Sequence, residues 1–328
     1  MTGTSDWQPD ASHELIKTRA RMLQQLRAFF SAREVLEVET PYLSRAGSTD
    51  PNIESFVVSD TASHWQGYLH TSPEFAMKRL LAAGSGAIYQ VCKVFRCGEQ
   101  GARHNPEFSM LEWYRPGFDH HRLMAEVDEL IRELLAGRLA LAETRSVSYQ
   151  QVFERYLAIN PHAATVPQLM ACASKHGLGE VIGLSNKAED RDNWLELLMS
   201  QVIEPALPAN TPVFIYDFPA SQASLAQIRH DEYPVAERFE LYLNGMELAN
   251  GFHELSDASE QRQRFENDNR LRQQQGKQPV VIDDKLLAAI KAGLPDCAGV
   301  ALGLDRLLML LAGVKRLEDV LSFSFERA

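Results

Sequence analysis

The dipeptide Asn244-Gly245 separates two alternating stretches, "FELYL" before it and "MELANGFHEL" after it. Both residues tolerate the positive φ that a two-residue hairpin turn demands, so the pattern predicts a tight antiparallel hairpin. In the simplest register Leu243 faces Met246, Tyr242 faces Glu247 and Glu240 faces Ala249. A second hairpin is expected in "KVFRCGEQGARHNPEFSMLEWY", Lys93 to Tyr114, where period-2 alternation sets Phe108, Met110, Glu112 and Tyr114 on one face. Strands that arrive as hairpins rather than as βαβ units predict an α+β fold with an antiparallel sheet flanked by helices.

The helices are legible from their stripes and caps. Leu15, Ile16, Met22, Leu23, Leu26, Phe29 and Phe30 fall on one helical face with Arg19 as the single intruder. "EVLEVETPYL" reads as the next strand, stopped by Pro41. In "LHTSPEFAMKRLLAAG" Ser72 is expected to cap a helix, Pro73 to sit in its first turn and Gly84 to mark its exit. Further helices are expected over about 119–135, several between 148 and 205, then about 258–275 and 284–292. "GVALGLDRLLMLLAG" reads as a strand, a glycine turn and a buried helix. No repeat or flexible linker divides residues 1–328, which favours one domain.

Composition bounds the function. The chain has 328 residues, 45% hydrophobic and 23% charged, as a globular enzyme would. No basic-then-apolar leader is visible at the start, and the longest apolar run, "LLMLLAGV", is too short to span a bilayer. Four scattered cysteines fit a reducing cytoplasm and give no ligand spacing for zinc. The net charge of −11 argues against wrapping a long nucleic acid. One local exception, "EQRQRFENDNRLRQQQGK" (260–277), reads as a solvated helix face, with a docking patch for an anionic partner as the alternative.

The residues that carry chemistry are paired carboxylates beside arginines and aromatics. Glu240 and Glu247 on one sheet face would repel unless a hard cation bridged them, and magnesium with a phosphate ligand is the usual answer. Arg96 and Arg306 supply the cationic complement, and Gly303 before Arg306 suits a close backbone approach. An aromatic platform such as Phe108 beside arginines can stack a purine. Under strict alternation Glu247 and Glu254 point to opposite faces. One site using both needs a β-bulge between them, for which Gly251 or a neighbour is the candidate. His104 is placed near phosphate, whereas His120, His121 and His253 read as structural. No phosphate-binding loop of the Gly-x-x-x-x-Gly-Lys-Ser/Thr kind is present, so a nucleotide must be held another way.

These motifs resemble the class II aminoacyl-tRNA synthetases. "VFRCGEQGARHNPEFSMLEWY" is similar to their motif 2, "GVALGLDRLLML" to motif 3, and "FFSAREVLEVETPYLS" to motif 1, the element of their dimer interface. "HNPEFSMLEWY", "TSPEFAMKRL" and "ELANGFHEL" are closest to the lysyl subgroup. The chain starts almost at motif 1, leaving no room for an N-terminal anticodon-binding OB domain, as in the elongation factor P–(R)-β-lysine ligases of that family. The resemblance implies ATP and Mg2+ as cofactors, a homodimer without stable tRNA binding, and transfer of (R)-β-lysine to elongation factor P. The alternatives are tRNA charging by a truncated lysyl enzyme and a synthetase-like regulator without chemistry.

It also implies roles. Arg96 would hold the α-phosphate, and Arg306 the γ-phosphate and one face of adenine, with Phe108 on the other. Glu240 and Glu247 would ligate magnesium. Ser72, Glu74, Tyr114 and Glu254 would bind the amino acid. Gly98, Glu99, His104, Asn105, Leu248 and Gly303 would complete the nucleotide site. Two positions depart from the family pattern. Motif 2 has Arg96-Cys97-Gly98 where Arg-x-Glu is usual, so either Glu99 takes the glutamate's role or that contact is weaker. Ala301 replaces the first glycine of motif 3, and one methyl on a pocket wall is worth about 1–3 kcal/mol of discrimination.

Overall fold

The computed structural model describes residues 7–62, 64–179 and 183–328. Twelve strands are present among them: β1 Leu36–Glu37, β2 Leu43–Ser44, β3 Val57–Asp60, β4 Trp65–Leu69, β5 Ile88–Phe95, β6 Glu107–Pro116, β7 Arg145–Ser148, β8 Val213–Pro219, β9 Ile228–His230, β10 Pro234–Tyr242, β11 Glu247–His253 and β12 Cys297–Gly303. The α-helices are α1 His13–Ser31, α2 Glu74–Ala82, α3 His120–Leu135, α4 Tyr149–Leu157, α5 Val166–Lys175, α6 Arg191–Leu198, α7 Glu204–Ala206, α8 Ala258–Gln274, α9 Asp284–Gly293 and α10 Leu304–Ala312.

The large sheet runs β1-β5-β6-β12-β11-β10-β8-β7, with β9 on β10, and a small one runs β2-β4-β3. The central pairs are antiparallel, as the hairpins require, while β1 and β7 pair parallel at the two edges. Period-2 alternation gives the sheet two different faces. Leu111, Trp113, Val300, Leu302, Phe239 and Leu241 point to one side and pack on α1, α3 and α10. Phe108, Met110, Glu112 and Tyr114 point to the other, where the polar groups gather. Arg19, the intruder on the α1 stripe, is not a defect: it pairs with buried Asp305 and donates to the Val320 carbonyl at 2.9 Å. It ties α1 to the start of α10.

Two local expectations need correction and a third needs refining. The strand expected from 34 up to Pro41 is only two residues long, Leu36–Glu37, and Leu36 is exposed. It is an edge strand of the sheet, paired on one side only, with β5, over Leu36↔Ile88 and Glu37↔Tyr89. At α2 the cap position is Pro73, not Ser72; the Ser72 hydroxyl still accepts the Glu74 N–H at 2.9 Å. The basic stretch 260–277 is exposed over most of its length, as a solvated helix face would be, but two of its arginines are taken up by the fold. Arg272 is 1% exposed, forks onto Glu54 at 2.8 and 2.9 Å and donates to the Gln278 carbonyl. Arg264 holds the Ser224 and Ala226 carbonyls. These arginines satisfy carbonyls that packing would otherwise leave bare. Among the described residues no helix is long and apolar enough to cross a membrane.

Candidate active site

The polar face is made single by one irregularity. Tyr242 pairs with Glu247, but Leu241 pairs with Ala249 and Glu240 with Asn250, so Leu248 is an extra residue in β11. Glu240 therefore faces Asn250 rather than Ala249. The expected bulge exists, at Leu248 instead of Gly251. It reverses the alternation, so that Glu240, Tyr242, Glu247, Asn250 and Glu254 share one face while Leu248 turns into the core. The turn that feeds it has φ of 53° at Asn244 and 66° at Gly245, as a type I′ hairpin needs.

At one end lies a buried charge cluster. Lys78, fully buried on α2, sits 2.7 Å from Glu74 and 2.6 Å from Glu254 Oε2. Glu254 is 1% exposed, and neither of its oxygens has an aligned hydrogen-bond donor. Beside it Glu112 accepts from Ser72 Oγ and from the Tyr114 hydroxyl, both at 2.7 Å. Burial, then the charge of Glu74, pushes Glu112 up to about 8. Burial also raises Glu254 to about 7, against the pull of Lys78. Burial alone would lower the Lys78 ammonium, but Glu254 and Glu74 outweigh it and hold the lysine charged. Three carboxylates around one ammonium leave a pocket short of positive charge. A diamine fits that deficit.

Gly299 closes the floor. A Cβ there would lie 2.3 Å from the Tyr114 ring and 2.5 Å from Glu254 Oε1, so only glycine allows the two to meet across β12. Ala301 is one step along the same face, paired with Glu112 on one side and Asn250 on the other.

At the other end stand the arginines. Arg96 lies over the Phe108 ring, 5.1 Å from its centroid, and 3.5 Å from Glu99. Gly98 takes a φ of 81° to turn the loop between them. Arg306 donates to the Glu247 carbonyl at 2.8 Å, stands 3.6 Å from its carboxylate and meets His104 Nε2 at 3.1 Å. Burial and Arg306 both lower the His104 pKa, so the ring is neutral and Nε2 accepts from Arg306. Glu240 is held by Arg238 and by the Tyr242 hydroxyl. Burial, with Glu247 beside it, raises Glu240 to about 7. Glu204 is likewise raised to about 7 by burial and by Glu247.

A family model described as tRNA synthetases class II (D, K and N) matches residues 4–327. The chain belongs to this class II family. It is also 51% identical, over the full length of both chains, to proteins named elongation factor P–(R)-β-lysine ligase from Salmonella arizonae, Salmonella dublin and Salmonella paratyphi B.

Within this class II synthetase face, Ser72, Glu74, Tyr114, Glu254 and Ala301 gather at one end. Arg306, His104 and Glu247 form one contact set and Arg96, Glu99 and Phe108 another. Two expectations fare differently. Asn105 uses its amide within the protein, donating to the Glu107 carbonyl and accepting from the Phe325 N–H. At Gly303 the nearest atoms to a Cβ would be those of the Arg306 side chain, at 3.7–3.8 Å, so no tight contact within the protein requires glycine there. Lys78, Glu112, Arg238 and Glu204 were not singled out from the sequence as site residues. Glu74 and Lys78 stand four apart, a spacing that pairs charges on any helix, and nothing in it reveals burial.

Proposed function

We propose that the protein activates (R)-β-lysine with ATP as an adenylate and transfers it to a lysine side chain of elongation factor P. The observation that carries this reading is full-length identity of 51% with relatives bearing that name. The chemistry of the face supports it. Glu254, Glu74 and the Tyr114–Glu112 pair would receive the substrate's two ammonium groups, which orients its carboxylate toward the arginine end. A carboxylate oxygen then attacks the α-phosphorus of ATP and the bond to the bridging oxygen breaks, releasing pyrophosphate. The amine of the acceptor lysine attacks the adenylate carbonyl, an amide bond forms, and AMP leaves with the acyl–oxygen electrons. Neither step needs a covalent nucleophile on the enzyme.

Arg96 would stabilise the charge that grows at the α-phosphate. Phe108 and Arg306 would hold adenine, with Arg306 reaching the γ-phosphate. Alignment and preorganised charge are the enzyme's contribution, and a lost donor of this kind typically costs about 3 kcal/mol. The carboxylates fit a divalent ion: burial first, and then the charge of Glu247, raise both Glu240 and Glu204, even with Arg238 paired to Glu240. Glu240 and Glu247 would hold Mg2+, which supplies neutralisation of the phosphate charge.

The same reading takes the protein to be one catalytic domain and a cytoplasmic homodimer that does not hold tRNA. Exposed Leu36, Tyr42, Leu43 and Val57 around the motif 1 segment support the dimer. Incubating the protein with ATP, Mg2+ and labelled (R)-β-lysine, together with either elongation factor P or tRNA, tests the function. Label on the factor alone is expected; label on tRNA alone would overturn the assignment.

A further inference from the structure

Behind the catalytic face, three elements bring together a second set of chemistry-bearing side chains. His253 on β11 and Glu237 on β10 alternate with Glu254 and Arg238, so they project from the opposite side of their strands. His120, the first residue of α3, packs onto them. One donor atom from each of His120, Glu237 and His253 lies within 4.8 Å of the other two.

His120 is the telling residue. It is 2% exposed, yet neither ring nitrogen has a hydrogen-bond partner. A buried imidazole without partners costs about 1–3 kcal/mol, which folding does not retain without a use. Asp217 Oδ1, also buried and unpartnered, stands 3.6 Å from His120 Nε2. That is too far for a hydrogen bond and close to the span of two donors sharing one tetrahedral ion, roughly 3.3 Å for bonds near 2.0 Å. The remaining contacts are those of an outer shell. Arg229 holds Glu237 through Oε1 at 3.2 Å and Asp217 through Oδ2 at 2.6 Å, leaving one oxygen of each turned inward. Asp296 approaches His253 Nε2 at 2.7 Å, the carboxylate–imidazole arrangement that orients ligating histidines. Glu237 Oε2 and His253 Nδ1 are 2.5 Å apart and hydrogen-bonded, and an ion taking both would displace that proton and part them by about 0.8 Å. Around Arg229 and His253 the carboxylates of Asp217, Asp231, Glu237 and Asp296 outnumber the one guanidinium.

We propose that His120, His253 and Glu237 bind a zinc-type divalent ion, with Asp217 Oδ1 or water as the fourth donor. Two imidazoles and a carboxylate suit this class of ion and not magnesium, which takes oxygen ligands. The ion would pin the start of α3 to β10 and β11, behind the strand that carries Glu254. The cysteines take no part. Glu237 and His253 are partly exposed, which leaves a path for entry.

The test uses the whole protein, freed of metal by a chelator and titrated with Zn2+ against a chromophoric competitor, and with Co2+ as a spectroscopic probe. One equivalent of Zn2+ is expected, with a rise in melting temperature and tetrahedral cobalt absorption of imidazole–carboxylate type. Glu237→Gln and His253→Gln, both at partly exposed positions, are each expected to weaken Zn2+ at least tenfold. Glu240→Gln is the control for ions held at the catalytic carboxylates and should leave this affinity unchanged. No stoichiometric binding, or affinity lost in Glu240→Gln but kept in both other variants, would overturn the proposal. Either result leaves the ligase reading standing, because none of the three ligands belongs to the catalytic face.

Discussion

Glu254 is the side chain whose loss should be felt most at the substrate end. Glu254→Gln leaves Lys78 with Glu74 as its one carboxylate within ion-pair distance and removes a negative charge from the pocket. Truncating one member of a buried charged pair costs about 2–5 kcal/mol. The KM for (R)-β-lysine in pyrophosphate exchange is therefore expected to rise at least tenfold, with a smaller effect on kcat. The pH dependence has a definite sign. Folding raises Glu112 to about 8 and Glu254 to about 7, both above an unfolded carboxyl near 4.5. The stabilisation they give the substrate-free protein is complete below pH 4.5 and is lost as pH rises through 7 and 8. A bound diamine favours the ionised acids and reverses this. The thermal shift produced by (R)-β-lysine should thus grow from about pH 6 to about pH 8.5, and a shift that falls over this interval would contradict the assignment. Glu74 and Glu254 were legible in sequence through motif resemblance. Lys78 was not, because a lysine four residues from a glutamate on an amphipathic helix looks like a surface pair until tertiary packing buries it.

At the scale of elements, the bulge at Leu248 decides which carboxylates can cooperate. Parity alone showed that Glu247 and Glu254 could not share a face without one extra residue. Its position escaped the sequence because Gly251, the natural suspect, is a glycine for another reason. A Cβ at Gly251 would strike the Phe239 ring at 2.5 Å. β12 is the neighbouring control point. Ala301 sits between Glu112 and Asn250, where a methyl narrows the space beside the groups proposed to bind the ammonium. Ala301→Gly should raise activation of α-lysine relative to (R)-β-lysine, by about 1–3 kcal/mol in the ratio of kcat/KM. An unchanged ratio would remove Ala301 from the specificity argument. The sequence placed the two hairpins and most of the helices, since turn chemistry and periodicity are local. It overextended the strand before Pro41, which pairs with β5 over Leu36–Glu37 alone and has no neighbour among the described residues on its other side.

For the whole molecule, the sheet separates duties: one face is a hydrophobic layer on α1, α3 and α10, the other a charged floor. Glu74, Glu112 and Glu254 gather where a cationic substrate would sit, while arginines of α8 are absorbed in holding loops together. The exposed apolar residues near motif 1 give a further expectation. Leu43→Asp should convert a dimer to a monomer in light scattering, whereas a wild-type protein that is monomeric at micromolar concentration would sink the homodimer. The central claim is that one polar face joins a diamine-binding pocket to an ATP site. The most direct measurement is ATP–pyrophosphate exchange by the purified protein with each lysine isomer and no acceptor present. Exchange that depends on (R)-β-lysine and falls about 10²–10³-fold in Arg306→Ala is predicted; no exchange with any lysine isomer would contradict it.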